Sequence, residues 1–411
     1  SGRHSWFSQR DGWGHLYRFG SDGQLKNQVT SGTFVVDQIH RVDEATSRVF
    51  FTAWGGEGNE FPYHRKLYRV GFDGSGLAVL TPEEADHEIS FTPSGRFFVD
   101  SYSTIAEPPV TVLRRAPGGQ VVRTLEEADI SRVLEMGWTP REVFRAKARD
   151  GVTDIYGVIS KPSDFDPEKR YPVIEYIYPG PQVGSVGSFG FSAGGRGDVR
   201  AQAELGFIVV QIDHLGTPWR SKAFHDAYYG NMGDNGLPDH IAALQQLAST
   251  RPWMDLDRVG ITGHSGGGFA STDAILRYPD FYKVAVSGSG NHDNRTYFYG
   301  WGEKYQGLYQ QDTLKGGDNY ENQANYLLAP NLKGHLLLMH GDLDDNVHPA
   351  MTIRVVDALI KANKSFDLII APDRNHGLNE PYFVRRRWDY FVEHLLGMKP
   401  PVNYEIRRPS Q

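Results

Sequence analysis

One stretch restricts the fold of this chain more than any other: VGITGHSGGGFAS, from Val259 to Ser271. A short apolar run, Val259 to Ile261, leads into a turn made by Gly263-His264-Ser265-Gly266-Gly267. The segment Phe269 to Leu276 follows with helical composition. Strand, tight turn and helix in that order are the context that turns G-x-S-x-G into a nucleophile elbow. Glycines two before and two after the serine let strand and helix approach closely and tolerate an unusual φ/ψ at Ser265. The Ser265 hydroxyl is then expected at the C-terminal edge of a sheet. The N–H of Gly266, at a helix N-terminus, would face an oxyanion formed there.

The pattern alone is weak, since Gly190-Phe191-Ser192-Ala193-Gly194 matches it too. No apolar strand leads into that copy, which lies in a glycine- and serine-rich stretch from Gly184 to Gly197 and reads as loop. Ser265 has the context but still needs partners, because a glycine-rich turn can also precede an ordinary helix.

A length of 411 residues predicts about two or three domains, and 39% hydrophobic residues suffice for a sizeable core. A net charge of −7 without a long basic run argues against nucleic acid as the main partner. No stretch approaches the roughly 20 apolar residues of a membrane span. The absence of cysteine excludes disulfides, thiolate metal sites and a cysteine nucleophile. The histidines show no spacing such as H-E-x-x-H, so neither a metal nor an organic cofactor is expected. Ser1-Gly2-Arg3-His4 runs straight into strand-like sequence, so the chain is expected to be the C-terminal piece of something longer, without any export signal.

Residues 1 to about 125 alternate apolar and polar positions in short runs, an all-β signal. A repeat runs through them: His15-Leu16-Tyr17-Arg18-Phe19 before Ser21-Asp22-Gly23 returns as Lys66-Leu67-Tyr68-Arg69-Val70 before Phe72-Asp73-Gly74. A fainter copy is Val110 to Arg114 before Pro117-Gly118-Gly119. A period of roughly 45 to 50 residues is that of β-propeller blades, and about two to three blades are expected here. So few cannot close a ring, which usually takes at least four; a small β-sandwich is the alternative. Exposed propeller edges would favour a homo-oligomer.

From Glu126 onward strands alternate with helices, the signature of a parallel α/β sheet filling residues 126–411. Strands are expected at Thr153–Ser160, Val173–Tyr178, Phe207–Ile212, Val259–Thr262, Val284–Ser287, Leu336–Met339 and Leu368–Ala371. Helices are expected at Asp239–Leu247, Phe269–Leu276, Met351–Ala362 and Pro381–Leu396. The Tyr-, Asn- and Gly-rich segment from Asn291 to Tyr326 follows a strand end, a place that suits a pocket wall or lid.

A serine hydroxyl needs a base, and the base needs a carboxylate to hold its tautomer. In α/β-hydrolases the chain order is Ser, acid, His. His376 combines a late position, a strand-end loop and a following glycine, and so reads as the base. Asp342, Asp344 and Asp345 share one earlier strand-end loop, and spacing does not choose among them. His340 and His348 flank that loop and read as structural. Tyr178, at the end of an earlier strand, is a candidate second oxyanion donor beside Gly266.

Four motifs in order, Tyr176–Pro181, Gly263–Gly267, His340-Gly341-x-x-Asp344-Asp345-Asn346-Val347-His348 and Asn375-His376-Gly377, resemble the catalytic domain of the prolyl oligopeptidase family. The likeness is greatest to its dipeptidyl-peptidase IV branch, and Ser8 to Tyr17 resembles a propeller blade of that branch. The resemblance implies an α/β-hydrolase domain behind a partial β-propeller, and hydrolysis of short peptides with Ser265 as nucleophile, Asp344 as acid and His376 as base. It gives Tyr178 and Gly266 the oxyanion role, makes Tyr297, Trp301 and Val347 walls of the specificity pocket, and has Asn346 bind a substrate carbonyl. A periplasmic or secreted location is also implied.

Three departures stand out. Gly266 replaces an aromatic residue of the branch, which implies a wider pocket; Asp213-His214-Leu215-Gly216-Thr217 lacks an arginine common in that loop; and the glutamates that grip a free N-terminus belong to blades before Ser1. Ester hydrolysis or acyl-aminoacyl cleavage is therefore the alternative reading. A binding protein with a vestigial site is the non-enzymatic one.

Overall fold

The computed structural model describes residues 4–55, 61–312, 314 and 316–406. Two compact units divide the chain: Ser1–Arg141 with Gly187–Ala193 and Pro218–Ala227, and Glu142–Val186 with Gly194–Thr217 and Tyr228–Gln411.

The first unit is built from three antiparallel sheets of consecutive strands. These are β1 (His4–Ser8), β2 (His15–Phe19) and β3 (Leu25–Gln28); β4 (Phe34–Asp43), β5 (Arg48–Gly55), β6 (Arg65–Gly71) and β7 (Ala78–Val79); and β8 (Asp86–Phe91), β9 (Phe97–Ser103), β10 (Val110–Arg115) and β11 (Val121–Glu127). The sequence repeat falls on β2, β6 and β10, the strands before each sheet's last hairpin. Gly23, Gly74 and Gly119 close those hairpins at φ 74°, 87° and 74°, a conformation that glycine adopts without strain. Leu16, Phe34, Phe51, Tyr68 and Val70 form one core, in which the rings of Phe34 and Tyr68 stack 5.7 Å apart. This is the blade architecture the repeat predicts. The unit continues past the change of pattern near Glu126, because β11 pairs with β10 up to Glu127 and a short helix, Ser131–Glu135, follows.

The second unit carries one eight-stranded sheet in the order β12-β13-β15-β14-β16-β17-β18-β19. Its strands are β12 (Glu142–Lys147), β13 (Asp154–Ser160), β14 (Tyr171–Tyr176), β15 (Ile208–Asp213), β16 (Met254–His264), β17 (Tyr282–Gly288), β18 (His335–Gly341) and β19 (Asp367–Ala371). Strands β12 and β13 enter antiparallel, and the rest of the sheet is parallel. The central strands are continuous apolar runs because both faces are covered. On one face Val199, Phe207, Val209, Val284, Leu337 and Phe391 pack together. Gly260 is small for this reason: a Cβ there would lie 2.7 Å from the Phe391 ring.

All seven expected strands are present within a few residues, as are the four expected helices: Leu237–Thr250, Gly266–Arg277, Ala350–Lys361 and Pro381–Leu395. Strand β14 ends at Tyr176, so Ile177 and Tyr178 already belong to the loop. The edge strand β12 and the helices Val199–Glu204 and Tyr299–Gln306 are additions. β12 has charged residues at three of its six positions, and the last helix is rich in glycine and aromatics, so neither shows an apolar period. The Gly190–Gly194 copy of the serine motif is irregular backbone, with Gly190 N–H donating to Ser188 and Phe191 N–H to Ser103.

Candidate active site

Ser265 stands between β16 and the helix Gly266–Arg277 with φ 60° and ψ −121°. Few non-glycine residues adopt a positive φ, and such strain persists only where the surroundings enforce it. Here they do. The Ser265 N–H donates to Gly288 O at 2.8 Å, tying the turn to the end of β17, and Ser265 O accepts from Phe269 N at 2.9 Å to start the helix. A Cβ at Gly263 or Gly267 would lie 2.4 or 2.3 Å from Ile177 O, so the turn closes only with glycine at both places. Gly266 differs: a Cβ there would sit 3.6 Å from the Tyr178 ring, in ordinary contact. Its N–H is in the first helical turn, where backbone donors lack intrahelical acceptors.

Burial separates the three aspartates. Asp342 and Asp345 are exposed, whereas Asp344 is 3% exposed. Asp344 Oδ2 accepts from His376 Nδ1 at 2.8 Å, and Oδ1 accepts from the N–H groups of Asn346 (3.0 Å) and Val347 (2.8 Å). Burial raises the Asp344 pKa, but the hydrogen bonds from His376, Val347 and Asn346 outweigh it and hold the carboxyl below its ordinary range. With Nδ1–H turned to Asp344, His376 keeps the Nε2 lone pair for a proton.

A second histidine supports the same carboxylate. His340 Nε2 lies 3.1 Å from Asp344 Oδ2 and 2.8 Å from Val347 O, while Nδ1 lies 2.7 Å from Thr352 Oγ1. Both groups facing Nε2 are acceptors, so Nε2 carries the hydrogen and Nδ1 accepts from the threonine hydroxyl. Burial lowers the pKa of His340 and favours this neutral form.

Among the described residues no hydrogen bond joins Ser265 to His376; the serine side chain interacts instead with the Tyr178 hydroxyl. Catalytic hydrogen bonds in unliganded sites are often loose and tighten with substrate. The two loops are nonetheless fastened together, since Ser289 Oγ donates to His376 O at 3.2 Å, directly beyond the strand end that holds Ser265.

Tyr178 N–H donates to Ser185 Oγ at 3.0 Å, and the Arg196 guanidinium lies 5.3 Å from the centre of its ring. Burial raises the Tyr178 pKa above its ordinary value, which keeps the hydroxyl a donor at neutral pH. The rings of Tyr297 and Trp301 meet edge to face at 5.5 Å. Tyr297 Oη donates to Asn346 Oδ1 at 2.9 Å, and Trp301 Nε1 donates to Gln182 Oε1 at 3.1 Å. Val347 requires a correction as a pocket wall: its side chain is 0% exposed, and its visible contribution is the backbone N–H given to Asp344. Sequence reasoning gives no role to Gln182, Ser289 or His264 and reads His340 only as structural; His264 and His340 lie inside quoted motifs, whereas Gln182 and Ser289 lie in none.

Residues 1–109 match the family model "Dipeptidyl peptidase IV (DPP IV) N-terminal region", and residues 197–397 match "Prolyl oligopeptidase family". The chain belongs to the prolyl oligopeptidase family. Within and around that family, it is 32% identical over 389 residues to dipeptidyl peptidase 8 of Mus musculus and of Homo sapiens, covering 90% of this chain and 41% of each relative. It is 26% identical over 419 residues to dipeptidyl peptidase 4 of Trichophyton equinum, covering 98% of this chain and 51% of the relative. The crystal structure of Porphyromonas gingivalis dipeptidyl peptidase 4 superposes with a TM-score of 0.83 at 27% identity, over 96% of this chain and 55% of that one. The chain thus spans about half the length of the curated relatives it matches.

Among the described residues of this member of the prolyl oligopeptidase family, one cluster has metal-ligand chemistry, Glu83, His87 and Asp100 in the first unit. Arg114 pairs with Glu83 at 2.8 Å and Asp100 at 2.7 Å, so the carboxylates already have their counter-charge. In the loop without the family's arginine, the buried Asp213 carboxylate accepts from Val186 N at 3.1 Å, and burial pushes its pKa up to about 6.

Proposed function

We propose that this chain is the catalytic part of a serine peptidase acting on short peptides through an acyl-enzyme. The observation that carries the reading is the buried Asp344 carboxylate holding His376 Nδ1 at 2.8 Å, in the loop fastened to the strained Ser265 turn. His376 Nε2 takes the Ser265 proton as Oγ attacks the carbonyl, and Asp344 stabilises the resulting imidazolium. The Gly266 N–H and the Tyr178 hydroxyl donate to the oxyanion. The imidazolium then protonates the leaving amine, and water, deprotonated by His376, releases the acyl group. Tyr297 and Trp301 supply aromatic walls for the side chain next to the scissile bond, and Asn346 is the candidate for a substrate carbonyl.

Removal of dipeptides from a free N-terminus is proposed on the likeness to the dipeptidyl peptidases. Gly266 supports a second reading, since without a side chain there the space beside Tyr178 admits bulkier acyl groups, as an esterase or acyl-aminoacyl peptidase would use. Hydrolysis of Gly-Pro, Ala-Pro and N-blocked Ala p-nitroanilides beside p-nitrophenyl acetate and butyrate separates the two, with Ser265→Ala as blank. Cleavage of free X-Pro anilides supports the dipeptidyl reading. Turnover of esters alone supports the second, and turnover unaffected by Ser265→Ala overturns both.

Among the described residues no helix is long and apolar enough to cross a membrane. Self-association is proposed through β11, an edge strand exposed along its length that presents Val121, Val122 and Leu125. Light scattering on Val122→Lys protein should then report a smaller species than the parent chain; an unchanged mass would remove β11 from consideration.

A further inference from the structure

The Tyr178 hydroxyl can act as an oxyanion donor only if its single hydrogen points at the serine. We propose that Gln182 is a positioning residue that sets this direction, and that Trp301 in the pocket wall locks Gln182 in place. The inference rests on the acyl-transfer reading above.

The tryptophan indole is a donor only, so the group 3.1 Å from Trp301 Nε1 must be the carbonyl end of the Gln182 amide. That fixes which way the amide faces. Its other end, Nε2, lies 3.0 Å from the Tyr178 hydroxyl and donates to it. The acceptor capacity facing Gln182 is then used, and the phenolic hydrogen is left for another partner. The hydroxyl sits at the serine turn, 3.7 Å from where a Cβ on Gly266 would lie, and Ser265 is the neighbour whose side chain acts on it, while Arg196 lies over the ring and donates to Gly184 O rather than to the hydroxyl. Trp301 Nε1–H, the Gln182 amide and the Tyr178 hydroxyl thus form a chain of donors all running toward the nucleophile. The same tryptophan packs edge to face on Tyr297, whose hydroxyl holds Asn346. Pocket wall and oxyanion donor are therefore one connected unit, and a substrate side chain that holds Trp301 also holds the donor.

Gln182 is exposed, so substitutions there should leave folding intact, which thermal unfolding of each variant checks. The test measures kcat and KM for p-nitrophenyl butyrate and Ala-Pro p-nitroanilide. The variants are Gln182→Leu, Gln182→Glu and Trp301→Phe, each made with Tyr178 intact and with Tyr178→Phe. Gln182→Leu is expected to lower kcat about tenfold with KM within about twofold, and Trp301→Phe to act in the same direction. With Tyr178→Phe present, Gln182→Leu should cost nothing further, because there is no hydroxyl left to aim. Gln182→Glu should be worse than Gln182→Leu at pH 8, since a carboxylate would accept the phenolic hydrogen and turn it away. Its activity relative to the parent chain should recover as pH falls toward 5 and the carboxyl regains a donor. Losses that add to Tyr178→Phe, a change in KM alone, or a Gln182→Glu ratio flat with pH would overturn the proposal. Absence of any Ser265-dependent turnover in the parent chain would overturn the acyl-transfer reading with it.

Discussion

The ring of His264 lies 4.8 Å from that of His376, with the two planes inclined at 59°. The residue before the nucleophile therefore packs on the base. Burial, followed by the proximity of His376, pushes the His264 pKa down to about 4, so the ring is neutral at working pH and adds no charge against the imidazolium formed in catalysis.

His264→Ala should loosen the His376 loop without touching the triad itself. We expect kcat to fall about tenfold, an effect comparable to losing one packed aromatic contact. His264→Phe, which keeps a ring, should recover part of it. Equal kcat for all three proteins would show that the contact is incidental.

The three aspartates of one loop should behave very differently. Asp344→Asn leaves the shape but removes the acceptor that fixes the His376 tautomer, so turnover should drop by about 10³–10⁴-fold. Asp342→Asn and Asp345→Asn, at exposed positions, should stay within about twofold of the parent chain. Labelling by a fluorophosphonate probe should follow the same order. A large loss at Asp345 with little at Asp344 would refute the assignment.

Much of this site is legible in the amino-acid sequence, for identifiable reasons. Ser265 and His376 each end an apolar strand, and glycine marks the turns they need, so local sequence carries their placement. The choice of Asp344 was not local: it depends on which carboxylate of the loop is turned inward to meet N–H groups and two histidines. Gln182 and Ser289 were invisible because their contacts join residues far apart in the chain, such as Gln182 with Trp301 and Ser289 with His376. The segments 187–193 and 218–227 group with the first unit for the same kind of reason, through contacts that no periodicity records.

Stability should decline as the solution is acidified from pH 7 to pH 4. Burial holds His64 and His264 at pKa values of about 4, and His214 and His292 at about 3, against an ordinary 6.5. Between those values the unfolded chain binds protons that the folded chain does not, so unfolding gains as pH falls. Asp344, held below its ordinary range, adds to the loss as pH falls through its folded value. Asp213, pushed up to about 6, and Asp273 and Asp389, also raised by burial, work the other way, but the histidines held below their ordinary value, which include His15, His40, His340 and His394 besides these four, outnumber them. Tm measured by scanning calorimetry should fall steadily across this interval. A constant or rising Tm would mean that these histidines are solvated in the native state.

The glycines of the serine turn offer the last test, because two neighbours should respond in opposite ways. At Gly267 a methyl group would be driven to 2.3 Å from Ile177 O, a backbone atom that cannot swing aside. The turn would have to open, displacing Ile177 and with it the adjacent Tyr178. Gly267→Ala should therefore cost about 1–3 kcal/mol of stability and lower kcat for every substrate. At Gly266 the same methyl would rest 3.6 Å from the Tyr178 ring, a normal contact distance. Gly266→Ala should fold like the parent chain and keep its turnover of p-nitrophenyl acetate. Gly266→Phe should fill the space beside Tyr178 and lose activity selectively on bulky acyl groups. Should Gly266→Ala unfold while Gly267→Ala is tolerated, the close approach of strand and helix would have to run through the other glycine, and the turn described for Ser265 would be wrong.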